Sequence, residues 1–172
     1  AMEIISRKRN DIKMVFIGTK QPNLDVSTPN SVQLTIDLSK KYGLFGKSIF
    51  FIDWVPYKER ANYLLESDLG IVNHMDSLET HFAWRTKVLD FLWADLPIIA
   101  TLGDSMADII KENHLGKTIP PQSPEAQAEA ILALLDNNEE YSQIKNNIAK
   151  FKASFYWDNV VQPIERYIAA LK

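Results

Sequence analysis

The chain contains no cysteine, which excludes a disulfide scaffold and any thiolate metal site. Glycine is sparse, six in 172 residues, and no Gly-x-Gly-x-x-Gly follows a candidate strand, so an NAD-dependent reading fails. Long apolar runs are lacking: none approaches the roughly 18 residues of a membrane-spanning helix, and no secretory leader is legible. Positive charge is not in excess either. Nineteen Lys and Arg against 22 Asp and Glu give a net charge of −3, which argues against the broad basic face of a nucleic-acid binder. What remains is a globular composition, 46% hydrophobic and 24% charged, at a length suited to one domain with a sizeable core. The absence of cysteine suits a cytoplasmic protein, and Ala1 ahead of Met2 reads as a tag remnant.

Residues 1–12 are mixed and charged and read as a loosely held arm; residues 13–172 read as a single domain. Lys13–Gly18, Ser48–Asp53, Asp68–Asn73 and Pro97–Thr101 are short apolar runs of the kind buried in parallel sheets, with a further short strand at Lys117–Pro120. Helical stretches alternate with them: Ser31–Tyr42, stopped by Gly43; Lys58–Ser67, with Ala61, Leu64 and Leu65 on one side; and Met106–Asn113, capped from Asp104 and Ser105. Pro124–Leu135, Glu139–Ala153 and Trp157–Leu171 close the chain as three more helices. Strands alternating with helices predict βαβ units, hence an α/β fold with a parallel sheet and helices on both faces. Gly43–Ser48 imitates the tail of a phosphate-binding P-loop, but Lys41 stands where the first glycine belongs and the piece precedes a strand rather than following one. A helix stop and turn is the reading there.

The central stretch is Leu78–Thr101. A polar loop, Leu78–Arg85, feeds a short apolar helix, Thr86–Ala94, followed by a turn at Asp95 and the buried strand Pro97–Thr101. A loop entering a helix N-terminus at the edge of a parallel sheet offers free N–H groups and the positive end of the helix dipole to an anion. Arg85 and Lys87 lie at that end, where they could bind a phosphate. A capped helix with two exposed cations is the alternative. Asp90, one turn further in, is the only acid in the helix body; it suits a pair of vicinal hydroxyls, or else pairs with Lys87 three residues earlier. His74, Asp76, Glu79 and His81 do not share a helix or strand face, so no metal site is expected from them.

This block resembles the donor-binding signature of the GT-B glycosyltransferases, in the large group that includes the retaining family 4 enzymes. The run Arg85-Thr86-Lys87-Val88-Leu89-Asp90-Phe91-Leu92-Trp93-Ala94-Asp95-Leu96-Pro97 carries the likeness, with Asp90 at the family's second glutamate, seven residues before Pro97. The resemblance extends from Met14 to about Tyr167 and implies a Rossmann-like three-layer α/β/α domain, the C-terminal half of a GT-B enzyme. It implies a nucleotide-sugar ligand, a UDP- or GDP-sugar, a glycan or related acceptor, and neither a resident cofactor nor a metal for donor binding. On this likeness Asp90 would take the ribose, Arg85, Thr86 and Lys87 the phosphates, and Glu79 the place of the family's first glutamate. Backbone N–H groups of His81, Phe82 and Ala83 would face the diphosphate; Gly18 and Thr19 would line the crevice; Val55 and Tyr57, around Pro56, would hold the base.

Two departures accompany the likeness. Asp95 replaces the turn glycine, in a position that needs left-handed geometry Asp tolerates. Glu79 stands eleven residues before Asp90 where the family pattern has eight. The family's earlier strand–helix unit, with an Arg and a Lys for the phosphates, has no match in residues 1–12. The chain therefore reads as most of one half of an enzyme whose N-terminal acceptor-binding domain lies elsewhere, along with any membrane association. A non-catalytic nucleotide-sugar module of the same fold is the alternative, kept open by the Glu79 spacing.

Overall fold

The computed structural model describes residues 1–20 and 30–171. Along the chain they form α1 (Met2–Ser6), β1 (Met14–Ile17), α2 (Asn30–Lys41), β2 (Ile49–Ile52), α3 (Arg60–Leu65), β3 (Gly70–Val72), α4 (Leu78–Phe82) and α5 (Lys87–Trp93). Then come β4 (Ile98–Thr101), α6 (Ser105–Glu112), β5 (Gly116–Ile119), α7 (Pro124–Asp136), α8 (Asn138–Phe151), α9 (Trp157–Val160) and α10 (Gln162–Ala170). The polar segment expected at residues 24–30 lies outside the described residues, apart from Asn30, which opens α2.

Every strand pairing is parallel, as the alternation of strands and helices predicted. The strands fall into two ladders, β1–β2 and β3–β4–β5. In the first, Phe16 lies opposite Phe51 and the rings stack with centroids 5.1 Å apart. In the second, β4 is central and all four of its residues are buried, which is why Ile98-Ile99-Ala100-Thr101 shows no polar alternation. Around it pack Val88 and Leu92 from α5, Met106 and Ile110 from α6, Ile131 and Leu134 from α7, and Ile144 and Ile148 from α8. Each fully buried Leu or Ile of this core contributes about 1.5–3 kcal/mol.

Several expectations are corrected. Residues 1–12 are not a loose arm: Met2–Ser6 is helical, and Met2 and Ile5 are buried in the main core. Leu78–Phe82, expected as loop, is a helix because the Ser77 hydroxyl accepts from the Thr80 N–H and caps it. Leu65 does not face inward; it is 63% exposed, and α3 buries no residue. The stretch Trp157–Leu171 breaks at Val161 into α9 and α10, with Pro163 in the first turn of the second helix.

Candidate functional site

The C-terminal ends of the strands carry the polar side chains. After β1, Gly18 adopts φ +80°. Thr19 is largely buried there, its hydroxyl 3.2 Å from Asp53 Oδ1 in the loop after β2. That second loop sends Val55 into the interior and leaves Tyr57 82% exposed. The Arg60 guanidinium lies 5.3 Å from the centre of the Tyr57 ring and pairs with Asp90. Lys87 Nζ is 3.3 Å from the same carboxylate. Tyr57, Arg60, Asp90 and Lys87 thus form one line joining the loop after β2 to the start of α5. Both cations contact Oδ2; among the described residues Oδ1 accepts no hydrogen bond. Asp90 therefore has the Lys87 partner foreseen from spacing, plus Arg60, whose arrival from 30 residues away no local pattern signals.

Arg85 sits between two acids. Its Nη2 donates to Glu79 Oε2 at 3.0 Å and to the Thr80 hydroxyl at 3.3 Å. Its Nε lies 3.4 Å from Asp104 Oδ2, within ion-pair range but outside hydrogen-bond alignment. Asp104 is buried and caps α6, its Oδ1 accepting from the Ala107 N–H at 2.8 Å. His74, in the loop after β3, places Nε2 3.2 Å from the same Oδ2, and its side chain is only 7% exposed. The Thr80 hydroxyl donates in turn to the Met75 carbonyl at 2.8 Å. Asp104 was legible in the sequence as a cap; His74 was not legible as part of the site, because it reaches Asp104 from 30 residues away, nor was Thr80, whose bonds to Arg85 and Met75 follow from the helix that replaced the expected loop.

The backbone donors expected at this place are mostly occupied. The N–H groups of Thr86, Val88 and Leu89 donate to the carbonyls of Trp84, Arg85 and Thr86, which tightens the entry to α5. Those of His81 and Ala83 donate to Ser77 and Thr80, because α4 is a helix and uses them internally. The Phe82 side chain is 83% exposed, and His81 Nε2 is 3.2 Å from Asp76 Oδ1. An anion here would meet side-chain cations, Arg85 and Lys87, rather than an open row of amides. Asp95 adopts φ +56° after α5, the left-handed turn expected of it, and pairs with Lys152 at 2.7 Å. Among the described residues no three His, Asp or Glu converge as a metal site would require. A cleft of about 350 Å³ opens beside the Asp104 cluster, bordered by His74, Thr101, Gln122, Ser123 and Gln127. Neither Asp90 nor Arg85 lines it, so its volume says nothing about the phosphate and ribose candidates.

Parallel strands alternating with helices make an α/β domain with its polar side chains gathered in the loops at the strand ends, and comparison with solved structures gives it the GT-B fold. Sucrose-phosphate synthase from Thermosynechococcus elongatus superposes with a TM-score of 0.73 at 16% identity, over 99% of this chain and 41% of that one. WaaG, a glycosyltransferase involved in lipopolysaccharide biosynthesis, superposes with a TM-score of 0.67 at 15% identity, over 96% and 40%. The chain thus spans about two-fifths of the length of either structure. Among curated proteins none matches. The family model for glycosyl transferases group 1 matches residues 1–151, and the chain belongs to that family. No helix among the described residues is long and apolar enough to cross a membrane.

Proposed function

We propose that this domain binds the nucleotide-sugar donor, a UDP- or GDP-sugar, of a glycosyltransferase that passes the sugar to a glycan or related acceptor. The observation that carries the proposal is the Asp90 carboxylate. Arg60 and Lys87 hold one of its oxygens, and the other is open to two vicinal ribose hydroxyls. The exposed Tyr57 ring, on the same guanidinium, offers a face for the base. Arg85 and Lys87 neutralise the diphosphate as the glycosidic bond breaks, the electrostatic part of the chemistry, without a metal ion. Gly18 and Thr19 border the crevice from β1. Glu79 keeps its place beside the sugar only if the incoming phosphate takes over its bond to Arg85. The acceptor and the rest of the reaction belong to a partner N-terminal domain, so this half alone binds without turnover.

Calorimetric titration with UDP, GDP, ADP and their sugar conjugates tests the reading. One base family should bind, and Asp90→Ala should weaken it by about tenfold or more while the chain stays folded. Unchanged affinity in Asp90→Ala would sink the ribose role. A non-catalytic nucleotide-sugar module is the second reading, favoured by one observation: the Glu79 carboxylate is engaged by Arg85 rather than free to serve a sugar. Transfer by the full-length protein, lost in Glu79→Gln, would exclude it.

A further inference from the structure

We infer that Asp104 is a positioning residue for Arg85, fixing the guanidinium from behind so that its outer edge faces the donor diphosphate. The inference rests on the reading of Arg85 as a diphosphate cation. Asp104 has two tasks in the structure. Its Oδ1 caps α6 through the Ala107 N–H, and its Oδ2 faces both Arg85 Nε at 3.4 Å and His74 Nε2 at 3.2 Å. The capping task does not need a carboxylate. Ser77, Ser123 and Asn137 cap α4, α7 and α8 of this same chain with neutral side chains, and Asn or Ser at such a position caps about as well as Asp.

Nor does a carboxylate help an anion site by its charge. Buried at 3% side-chain exposure, it subtracts from the positive potential Arg85 presents and so opposes diphosphate binding. What a carboxylate offers here, and a neutral cap does not, is a charged partner for the Nε edge of a guanidinium. The geometry fits that use. Arg85 is bonded at Nη2 to Glu79 and Thr80 and ion-paired at its Nε edge with Asp104 across 3.4 Å, while Nη1 enters no hydrogen bond among the described residues. Of the two acids, Glu79 is 70% exposed and free to yield to a phosphate; Asp104 is not. The buried His74 ring crowds the same oxygen from the loop after β3, so the carboxylate has little room to turn away.

Asp104→Asn is the informative substitution, since the amide oxygen keeps the cap while the charge is lost. The first measurement is independent of any nucleotide: the order of the Arg85 side chain, read from nitrogen relaxation at its Nε by NMR on the full chain. It should be high in the native chain and low in Asp104→Asn. The second is UDP and GDP titration of the native chain, Asp104→Asn, Arg85→Ala and the double variant. Asp104→Asn should weaken binding about fivefold, and the double variant should bind no worse than Arg85→Ala. Tighter or unchanged binding in Asp104→Asn means the carboxylate acts only as a charge or a cap, and overturns the inference; so does an equal loss in the Arg85→Ala background. Native-like affinity in Arg85→Ala is instead a failure of the diphosphate reading, whereas an Arg85 side chain as ordered in Asp104→Asn as in the native chain is a failure of this one.

Discussion

Tyr141 shows how one side chain ties distant parts of this chain together. Its hydroxyl, on α8, donates to the Asp68 carbonyl ahead of β3 at 2.9 Å. Burial, with the Asp68 charge adding to it, pushes the phenol above its ordinary value of 10.0. In the unfolded chain the phenol ionises near its ordinary value, while the folded chain keeps it protonated to higher pH. The stability tied to the neutral phenol is therefore complete below pH 10 and is lost as the pH climbs through the folded value. Tyr141→Phe should cost about 1 kcal/mol at pH 7, and the gap to the native chain should narrow above pH 10. Urea midpoints across pH 7 to 11 check this; a constant gap would show that the phenol does not titrate with folding. At this scale the sequence is legible where the reason is local. Asp95 was expected in a left-handed turn and is in one. Arg60 on Asp90, and His74 and Arg85 on Asp104, were not legible, because residues far apart or in separate loops meet only once the sheet has formed.

Between elements, the tightest constraint lies where β4 meets β5. Gly116 pairs with Ile98, and a Cβ added to it would lie 1.8 Å from the Ile98 carbonyl oxygen. The obstacle is backbone, which cannot rotate aside, and it belongs to the most buried strand. Gly116→Ala should therefore destabilise the domain by about 3 kcal/mol or more. Gly46→Ala is the control: a Cβ there meets nothing within 4 Å, and only its φ of +68° opposes the change, at about 1–2 kcal/mol. Denaturant unfolding of the two variants decides it, and a Gly116→Ala chain within 1 kcal/mol of the native one would show that the ladder yields. The same ladder explains what the sequence told of the elements. β1 to β4 stood out because each is a short continuous apolar run, although only β4 is buried on both faces. The two shortest early helices did not. Residues 2–6 and 78–82 are five-residue segments with no room for a helical repeat, and only the Ser77 cap signals the second. For the candidate site the consequence was specific: reading α4 as loop left its amides free for a ligand, and the helix takes them back.

Over the whole molecule, burial is uneven along the chain, and stability should follow it. The alternation of strands and helices foretold an α/β domain with parallel pairing. It could not foretell that the pairing divides into β1–β2 and β3–β4–β5, since neighbouring order depends on contacts the periodicity does not encode. The second ladder and the helices around it hold most of the fully buried side chains. The first is more open: Val15 and Ile17 are 47% and 42% exposed, and an apolar groove lined by Val15, Phe50 and Tyr63 runs along it. At the far end α9 and α10 bury no residue at all, leaving Trp157, Ile164 and Tyr167 in solvent. Amide exchange should therefore rank the elements. The amides of β4 should open only with global unfolding, those of β1 and β2 at lower free energy, and those of α9 and α10 near the rate of local fraying. Removing residues 157–172 should accordingly leave the β4 protection factors unchanged. Exchange in α10 as slow as in β4 would mean that its exposed apolar face is covered in solution, by a second copy or another partner, and that the ranking drawn from one isolated chain does not describe the protein as it exists.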